Sequence, residues 1–282
     1  MKVFVTGGSG YVGGPTIRAL VRNGHQVAAL ARADNSVSAV EASGAVAVRG
    51  ALTDTDVLRE QASLADAAIH LGMANERTAE VDLAAAQAMQ DGLADRGPYV
   101  HTGGTWVFGD TDGVADETHP MSPPALTSWR LDNEKQVLAN GGRPVIVMPG
   151  LVYGNNGGLI QAFYVDPARR DGELPQIGDG STHWALVHVE DLADLYVRAL
   201  TAKPRSVFVG VDDQNPTIAD VSRALAHATG VPVRAMDLAE ATRRMGPIAE
   251  AFALDQQLTG AKARRELGWQ PRHTDAVAEL AL

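Results

Sequence analysis

The sequence predicts an α/β protein built on a doubly wound parallel sheet, with a smaller C-terminal substrate-binding region folded against it. Three observations predict this. Short, near-continuous apolar runs alternate with helical patterns over residues 1–150, a glycine-rich turn joins the first run to the first helix, and the rhythm breaks after Gly150. Parallel strands need a crossover between neighbours and are covered on both faces, so they read as unbroken Val, Ile and Ala.

Val3 to Thr6 is the first expected strand, Tyr11 to Arg22 the first helix and Gln26 to Ala31 the second strand. Val46 to Arg49, Ala67 to His70, Tyr99 to Thr102 and Val145 to Met148 follow as further strands. Between them lie expected helices, notably Asp54 to Ser63, with Asp54 as N-cap, and the Ala-rich Thr78 to Arg96, with a further one around Pro124 to Ala139. Past Gly150, Gly154 to Gly158 reads as a loop and Leu159 to Arg170 as a helix, within a lid expected near 157–175. Helices follow at Asp191 to Thr201, Thr217 to Thr229 and Gly260 to Leu267, and Thr217 with Asp220 has capping-box spacing. The expected division is a core over 1–150 and a mixed α/β substrate region over 151–282, packed together as one structural unit.

Composition narrows the function. The chain has 282 residues, 45% hydrophobic and 21% charged, which is ordinary for a globular protein and excludes disorder. A formal net charge of −10 disfavours nucleic acid or an anionic membrane surface as partner. The absence of cysteine excludes disulfides, thiolate nucleophiles and Cys-based metal sites. Met1-Lys2 runs straight into the apolar Val3-Phe4-Val5, and no apolar run approaches the roughly 18–20 residues of a membrane span. The expectation is a soluble, cytoplasmic protein with a small-molecule partner, its oligomeric state left open.

Thr6-Gly7-Gly8-Ser9-Gly10-Tyr11-Val12-Gly13 sits between the first strand and the first helix. Gly7 permits the sharp turn, Gly10 lets backbone approach a pyrophosphate, Gly13 allows close helix–strand packing, and the helix N-terminus attracts the anion. In this context the pattern points to a Rossmann-type dinucleotide site. The second strand ends Leu30-Ala31-Arg32. No Asp stands there for the ribose 2′-hydroxyl of NAD, and Arg32 suits a 2′-phosphate, so NADP is favoured and NAD stays open.

Several further stretches occur in a telling order: IHLGMA at 69–74, TGGTWVFG at 102–109, MPGLVYG at 148–154, GDGSTHWALVHVEDLA at 178–193 and ARRELGWQPR at 263–272. With TGGSGYVG at 6–13 they resemble, nearly end to end, the extended and atypical short-chain dehydrogenase/reductases of the NAD-dependent epimerase/dehydratase group. The resemblance implies a nicotinamide cofactor and oxidoreductase or epimerase chemistry. It assigns cofactor contacts to Gly7, Gly10, Tyr11, Val12, Arg32, Leu71, Gly72, Met73, Thr102, Pro149 and Leu151.

The departures from that family are informative. Its members place a Ser or Thr after the fifth strand and a Tyr-x-x-x-Lys on the next helix, where the Tyr protonates the alkoxide and the Lys lowers its pKa and grips the ribose. Here the Ser column falls at Gly104, with Thr102 and Thr105 nearby. The stretch from Pro124 to Ala139 contains no Tyr. Taking Lys135 as the lysine puts Leu131 in the tyrosine column, and taking Arg130 puts Leu126 there. General acid–base assistance is worth about 10²–10⁴ in rate, so hydride transfer survives its loss in weakened form. Thr105, Ser128, water or a hydroxyl on the substrate then supplies the proton. The last option suits hydroxylated aromatic polyketides, and the sequence is similar to atypical angucyclinone-type ketoreductases.

A second departure concerns substrate. Sugar-nucleotide members carry an Arg just before the VHV segment, whereas this chain has Thr182-His183-Trp184, without a fork for phosphate. Gly104, Thr105, Trp106, Trp129, Tyr153, Phe163, Tyr164 and Trp184 are the expected substrate-side residues, walling a flat apolar pocket. Core packing is the competing reading for each aromatic. His183 and His188 lie near Glu190 and Asp191, but their spacing does not suit one helical face, and no metal is expected. His101 is expected to pack. The reading that follows is an NADPH-dependent ketoreductase acting on a bulky, aromatic, uncharged ketone. A sugar-nucleotide epimerase or dehydratase and a non-catalytic NAD(P)-sensing regulator are the alternatives.

Overall fold

A seven-stranded, all-parallel sheet forms the centre of the molecule, described here from a computed structural model covering residues 1–282. Its strands are β1 (Lys2–Thr6), β2 (Gln26–Ala31), β3 (Val46–Arg49), β4 (Ala67–His70), β5 (Pro98–Thr102), β6 (Arg143–Pro149) and β7 (Val207–Gly210). They lie in the order β7-β6-β5-β4-β1-β2-β3. The order reverses between β1 and β4, paired from Val3↔Ala67 to Thr6↔His70. Ligands of doubly wound sheets bind in the crevice outside the strand ends at such a switch point.

Strand alternation divides the core. Val3, Val5, Val27, Ala29 and Ile69 face α1 (Gly13–Arg22) and a late helix, Val189–Ala199. Phe4, Leu30, Ala68 and Tyr99 face α3 (Thr55–Ser63), α4 (Thr78–Leu93) and α5 (Trp129–Ala139). Successive side chains on a strand point to opposite faces, so a run apolar throughout serves both layers. The short α2 (Asp34–Ala42) completes the β2–β3 crossover.

The halves are not cleanly sequential. Residues beyond 150 build a third core around Tyr164, Trp184 and Phe252, and they also return to add β7 and the helix Val189–Ala199 to the central sheet. The segment expected as a lid is continuously helical through Gly158–Ile160, a π-helical turn at Gln161–Val165 and Asp166–Asp171. Thr217 caps its helix by accepting from the Asp220 backbone N–H at 3.1 Å. Asp54 occupies an N-cap position differently from expectation. Its carboxylate turns back to the Ala51 N–H at 2.8 Å and closes the turn after β3.

Candidate active site

Two adjoining cavities lie along the switch-point crevice. The first, about 640 Å³, is lined by Gly7, Gly10, Arg32, Ser36, Leu71 and Gly72 among others. The second, about 680 Å³, extends from Tyr11 and Val12 past Gly104 to Phe163 and Ile248. Met73, Ala74 and Asn75 border both.

The glycine turn is sterically compelled. A Cβ on Gly13 would lie 2.0 Å from the Gly7 carbonyl oxygen, and one on Gly7 would lie 2.6 Å from the Leu71 carbonyl. Gly7 also has φ +72°, a conformation that favours glycine. The cradle therefore lies flush against the end of β4, open toward the first cavity at the N-terminus of α1. Arg32 is exposed on the cavity rim beside Ser36, and no carboxylate pairs with it. The neighbouring Asp34 is instead bonded to Arg49. The glycine turn at the start of α1 fits the pyrophosphate of a dinucleotide, with Arg32 on the rim of the same cavity.

Of the expected cofactor residues, Gly7, Gly10, Arg32, Leu71, Gly72 and Met73 border the first cavity, and Tyr11, Val12, Met73, Pro149 and Leu151 the second. Thr102 borders neither. Its hydroxyl donates to the His70 carbonyl at 2.7 Å and lies 2.9 Å from the Tyr196 hydroxyl, so it ties strands together instead.

The substrate-side expectations divide similarly. Gly104, Thr105, Trp106, Trp129 and Phe163 line the second cavity. Tyr153, Tyr164 and Trp184 do not: each is at most 4% exposed, in the third core. Trp184 donates its indole N–H to the Phe252 carbonyl at 2.9 Å, and the Tyr164, Trp184 and Phe252 rings pack with centroids 5.1–5.6 Å apart. All three rings are turned into the core. Ser128 is exposed, outside the cavity, with its hydroxyl bonded to the Ala125 carbonyl at 3.1 Å. It stands one position before α5.

Other wall residues escape sequence reasoning. Met245, Pro247 and Ile248 arrive from a late segment that carries no motif. Leu126 and Arg130 also line the wall, and Arg130 is the only charged side chain to do so. The spacing of α5 had already offered Arg130 as one candidate for the lysine column. Its Nη1 donates to the Thr102 carbonyl at 3.0 Å, and its guanidinium lies 4.6 Å from the Trp129 ring centroid, within cation–π range.

Tyr11 is the phenol that borders this cavity, and its hydroxyl donates to the Gly154 carbonyl at 2.7 Å. Burial pushes its pKa further above the ordinary tyrosine value, which makes it a poorer acid. Below the sheet end lies a polar cluster. Asp82 receives the Asn133 amide at 2.8 Å and faces His70 Nε2 at 3.4 Å and His101 Nε2 at 3.7 Å. Burial alone would raise the Asp82 pKa, but His70, His101 and Asn133 overcome it and hold the carboxyl at about 2. Burial pushes His101 down to about 3, so it stays neutral, packed as expected and 1% exposed. His183 is bonded through Nδ1 to Asp255 at 2.8 Å, and His188 accepts from the Glu190 N–H at the start of its helix.

Among solved structures, the fold is similar to DesIV, a dTDP-glucose 4,6-dehydratase from Streptomyces venezuelae with NAD and TYD bound. The TM-score is 0.82 at 22% identity, over 100% of this chain and 96% of that one. In sequence, the uncharacterized protein YLL056C of Saccharomyces cerevisiae is 27% identical over 99% of this chain and 98% of its own length. The 4-hydroxy-2-methyl-3-oxo-4-farnesyl-3,4-dihydroquinoline-1-oxide ketoreductase of Stigmatella aurantiaca is also 27% identical, over 97% of this chain and 93% of its own. The sequence model of the NAD dependent epimerase/dehydratase family matches residues 3–210, which span the whole central sheet and both cavities' glycine walls. With a crevice shaped for a dinucleotide and a match across most of its length, the chain belongs to the NAD dependent epimerase/dehydratase family.

Proposed function

We propose that the protein is an NADPH-dependent ketoreductase for a bulky, flat, apolar ketone. The observation that carries this reading is the second cavity. It is walled by Trp106, Trp129, Leu126, Leu159 and Phe163, it adjoins the dinucleotide crevice at Met73–Asn75, and it offers no free phenol. A cavity of about 680 Å³ suits a multi-ring molecule. The ketoreductase from Stigmatella aurantiaca, named for a farnesylated quinoline oxide, lends support from sequence.

In this reading Gly7, Gly10 and the start of α1 hold the pyrophosphate, and Arg32 with Ser36 holds the 2′-phosphate. Pro149 and Leu151 border the nicotinamide end, where the bound cofactor supplies hydride. The aromatic walls exclude water and set the ketone's plane. Thr105, with its hydroxyl free of protein partners, orients the substrate, and water or a neighbouring substrate hydroxyl returns the proton. A sugar nucleotide fits this wall poorly, because its diphosphate would meet one arginine among apolar side chains.

The test is cofactor oxidation, followed at 340 nm, with hydroxylated quinones and sugar nucleotides supplied in parallel. NADPH consumed by the quinones alone is the expected result. Isomerised sugar product, or cofactor binding without turnover of any carbonyl, would replace this reading by the epimerase or the sensor.

A further inference from the structure

Arg130 stands apart among the residues of the second cavity. It is the one charged side chain among the 24 residues lining the second cavity, and no carboxylate forms an ion pair with it. Glu134, one turn along α5, attracts it without reaching ion-pair distance. The side chain is only partly buried, so its charge is presented to whatever enters the cavity.

The contacts of the guanidinium show which of its edges faces the cavity. One corner, Nη1, is used on the Thr102 carbonyl at 3.0 Å. Nη2 meets only the Met73 sulfur, at 4.0 Å. Nε has no hydrogen-bond acceptor, and it lies 3.8 Å from where a Cβ on Gly104 would stand. The Nε–Nη2 edge, the side-on fork that pairs with oxygen, therefore opens between Gly104 and Met73, both cavity residues. Trp129 stacks on the guanidinium and limits its freedom, so little entropy is lost when it binds.

We propose that Arg130 is the oxyanion-binding residue of the reaction: its Nε–Nη2 edge takes the substrate's carbonyl oxygen in the space that Gly104 leaves empty. The inference rests on the ketoreductase reading and names the group that replaces a hydroxyl pair. On reduction a C–H bond forms at the carbonyl carbon with hydride from the reduced dinucleotide, which is oxidised by two electrons. The C–O π pair moves onto the oxygen, where Arg130 balances its charge. A guanidinium does not serve as the acid, so the oxyanion takes its proton from water or a neighbouring substrate hydroxyl. Loss of one such donor typically costs about 10²–10³ in rate.

A carboxylate mimics the oxyanion and tests the site without turnover. The probe is 2-naphthoate, titrated calorimetrically into the protein saturated with NADP⁺, with 2-naphthamide as the neutral isostere. Arg130→Met should weaken naphthoate binding at least about tenfold, as expected for a charge-assisted pair, and leave the amide within about twofold. Thermal melting checks that the variant folds. If it does not, Arg130→Lys keeps the charge without the fork and should still bind naphthoate several-fold more weakly. Equal naphthoate affinity in wild type and variants, or no binding to the wild type at millimolar concentration, would overturn the assignment. With 9,10-phenanthrenequinone and NADPH, kcat should fall about 10²–10³-fold in Arg130→Met while the NADPH Kd stays within about twofold. A parallel loss of NADPH affinity would make Arg130 a cofactor clamp instead. The ketoreductase reading fails separately, if naphthoate binding depends on Arg130 yet no carbonyl oxidises NADPH.

Discussion

Replacing Glu134 by Gln should change how stability depends on pH. The Glu134 carboxyl sits on α5 directly behind Gly103, 6% exposed, and its Oε1 has no hydrogen-bond partner. Burial pushes its pKa up to about 7, against the attraction of Arg130. Between the unfolded value of 4.5 and about 7, the folded protein holds a proton that the unfolded chain has released. Glu134 therefore makes stability fall as pH rises through that window, and the loss is complete above it. At roughly 1.4 kcal/mol per tenfold change in proton affinity, the full penalty is about 3 kcal/mol. Gln imitates the neutral acid and removes the penalty. Near pH 5 the two proteins should differ by less than about 1 kcal/mol, and at pH 8.5 Glu134→Gln should be the more stable by about 3 kcal/mol. For a chain of this size that is a gap of roughly 5–10 °C in melting temperature. Scanning calorimetry at both pH values measures it. A gap of the same size at pH 5 and pH 8.5 would refute the reasoning, as would a less stable variant at pH 8.5.

Three more outcomes follow from the same geometry. Arg32→Ala should raise the Kd for NADPH at least about tenfold and leave that for NADH within about twofold, measured by quenching of protein fluorescence, because only the former loses a charge-assisted pair. Gly103→Ser and Gly104→Ser should behave oppositely in thermal melts. A Cβ at 103 would meet Glu134 Oε1 at 2.7 Å and Ile146 at 3.2 Å, whereas one at 104 meets nothing nearer than Arg130 at 3.8 Å, so only the first should destabilise, by about 1–3 kcal/mol. His101, held neutral with its pKa lowered to about 3, contributes stability that is full above the ordinary imidazole value of 6.5 and is lost as pH falls toward 3. His101→Asn should accordingly flatten the acid limb of the melting-temperature profile.

Much of this molecule is legible along the chain, and the illegible parts share a cause. The cradle at 6–13 is contiguous, so its glycines and strand–helix setting can be read together, and the structure seats it against β4. The six strands expected before residue 150 appear within a residue or two of their expected limits. Val207–Gly210 and Asp34–Ala42 escape notice because each is short and carries no motif, and β7 joins the sheet only through pairing with β6. Aromatic side chains divide between cavity and core without a signal along the chain. Trp106 and Phe163 reach the cavity while Tyr164, next to Phe163, is fully buried, and the π-turn that carries both disturbs the helical period that would distinguish them. Arg130 fits one register of α5, but only the vacancy at Gly104 reveals where its free edge points.

Tyr11 joins two parts of the protein that are remote in sequence. It follows the phosphate turn, yet its ring wedges against the start of the lid, where a Cβ on Gly157 or Gly158 would lie 2.5–2.6 Å from it, and its hydroxyl grips the Gly154 carbonyl. A shift of the glycine turn on taking up a pyrophosphate would therefore press on residues 154–158, where the segment bordering the second cavity begins. Steady-state kinetics should accordingly be compulsorily sequential, with dinucleotide first on and last off, and Tyr11→Phe should loosen that order toward random addition.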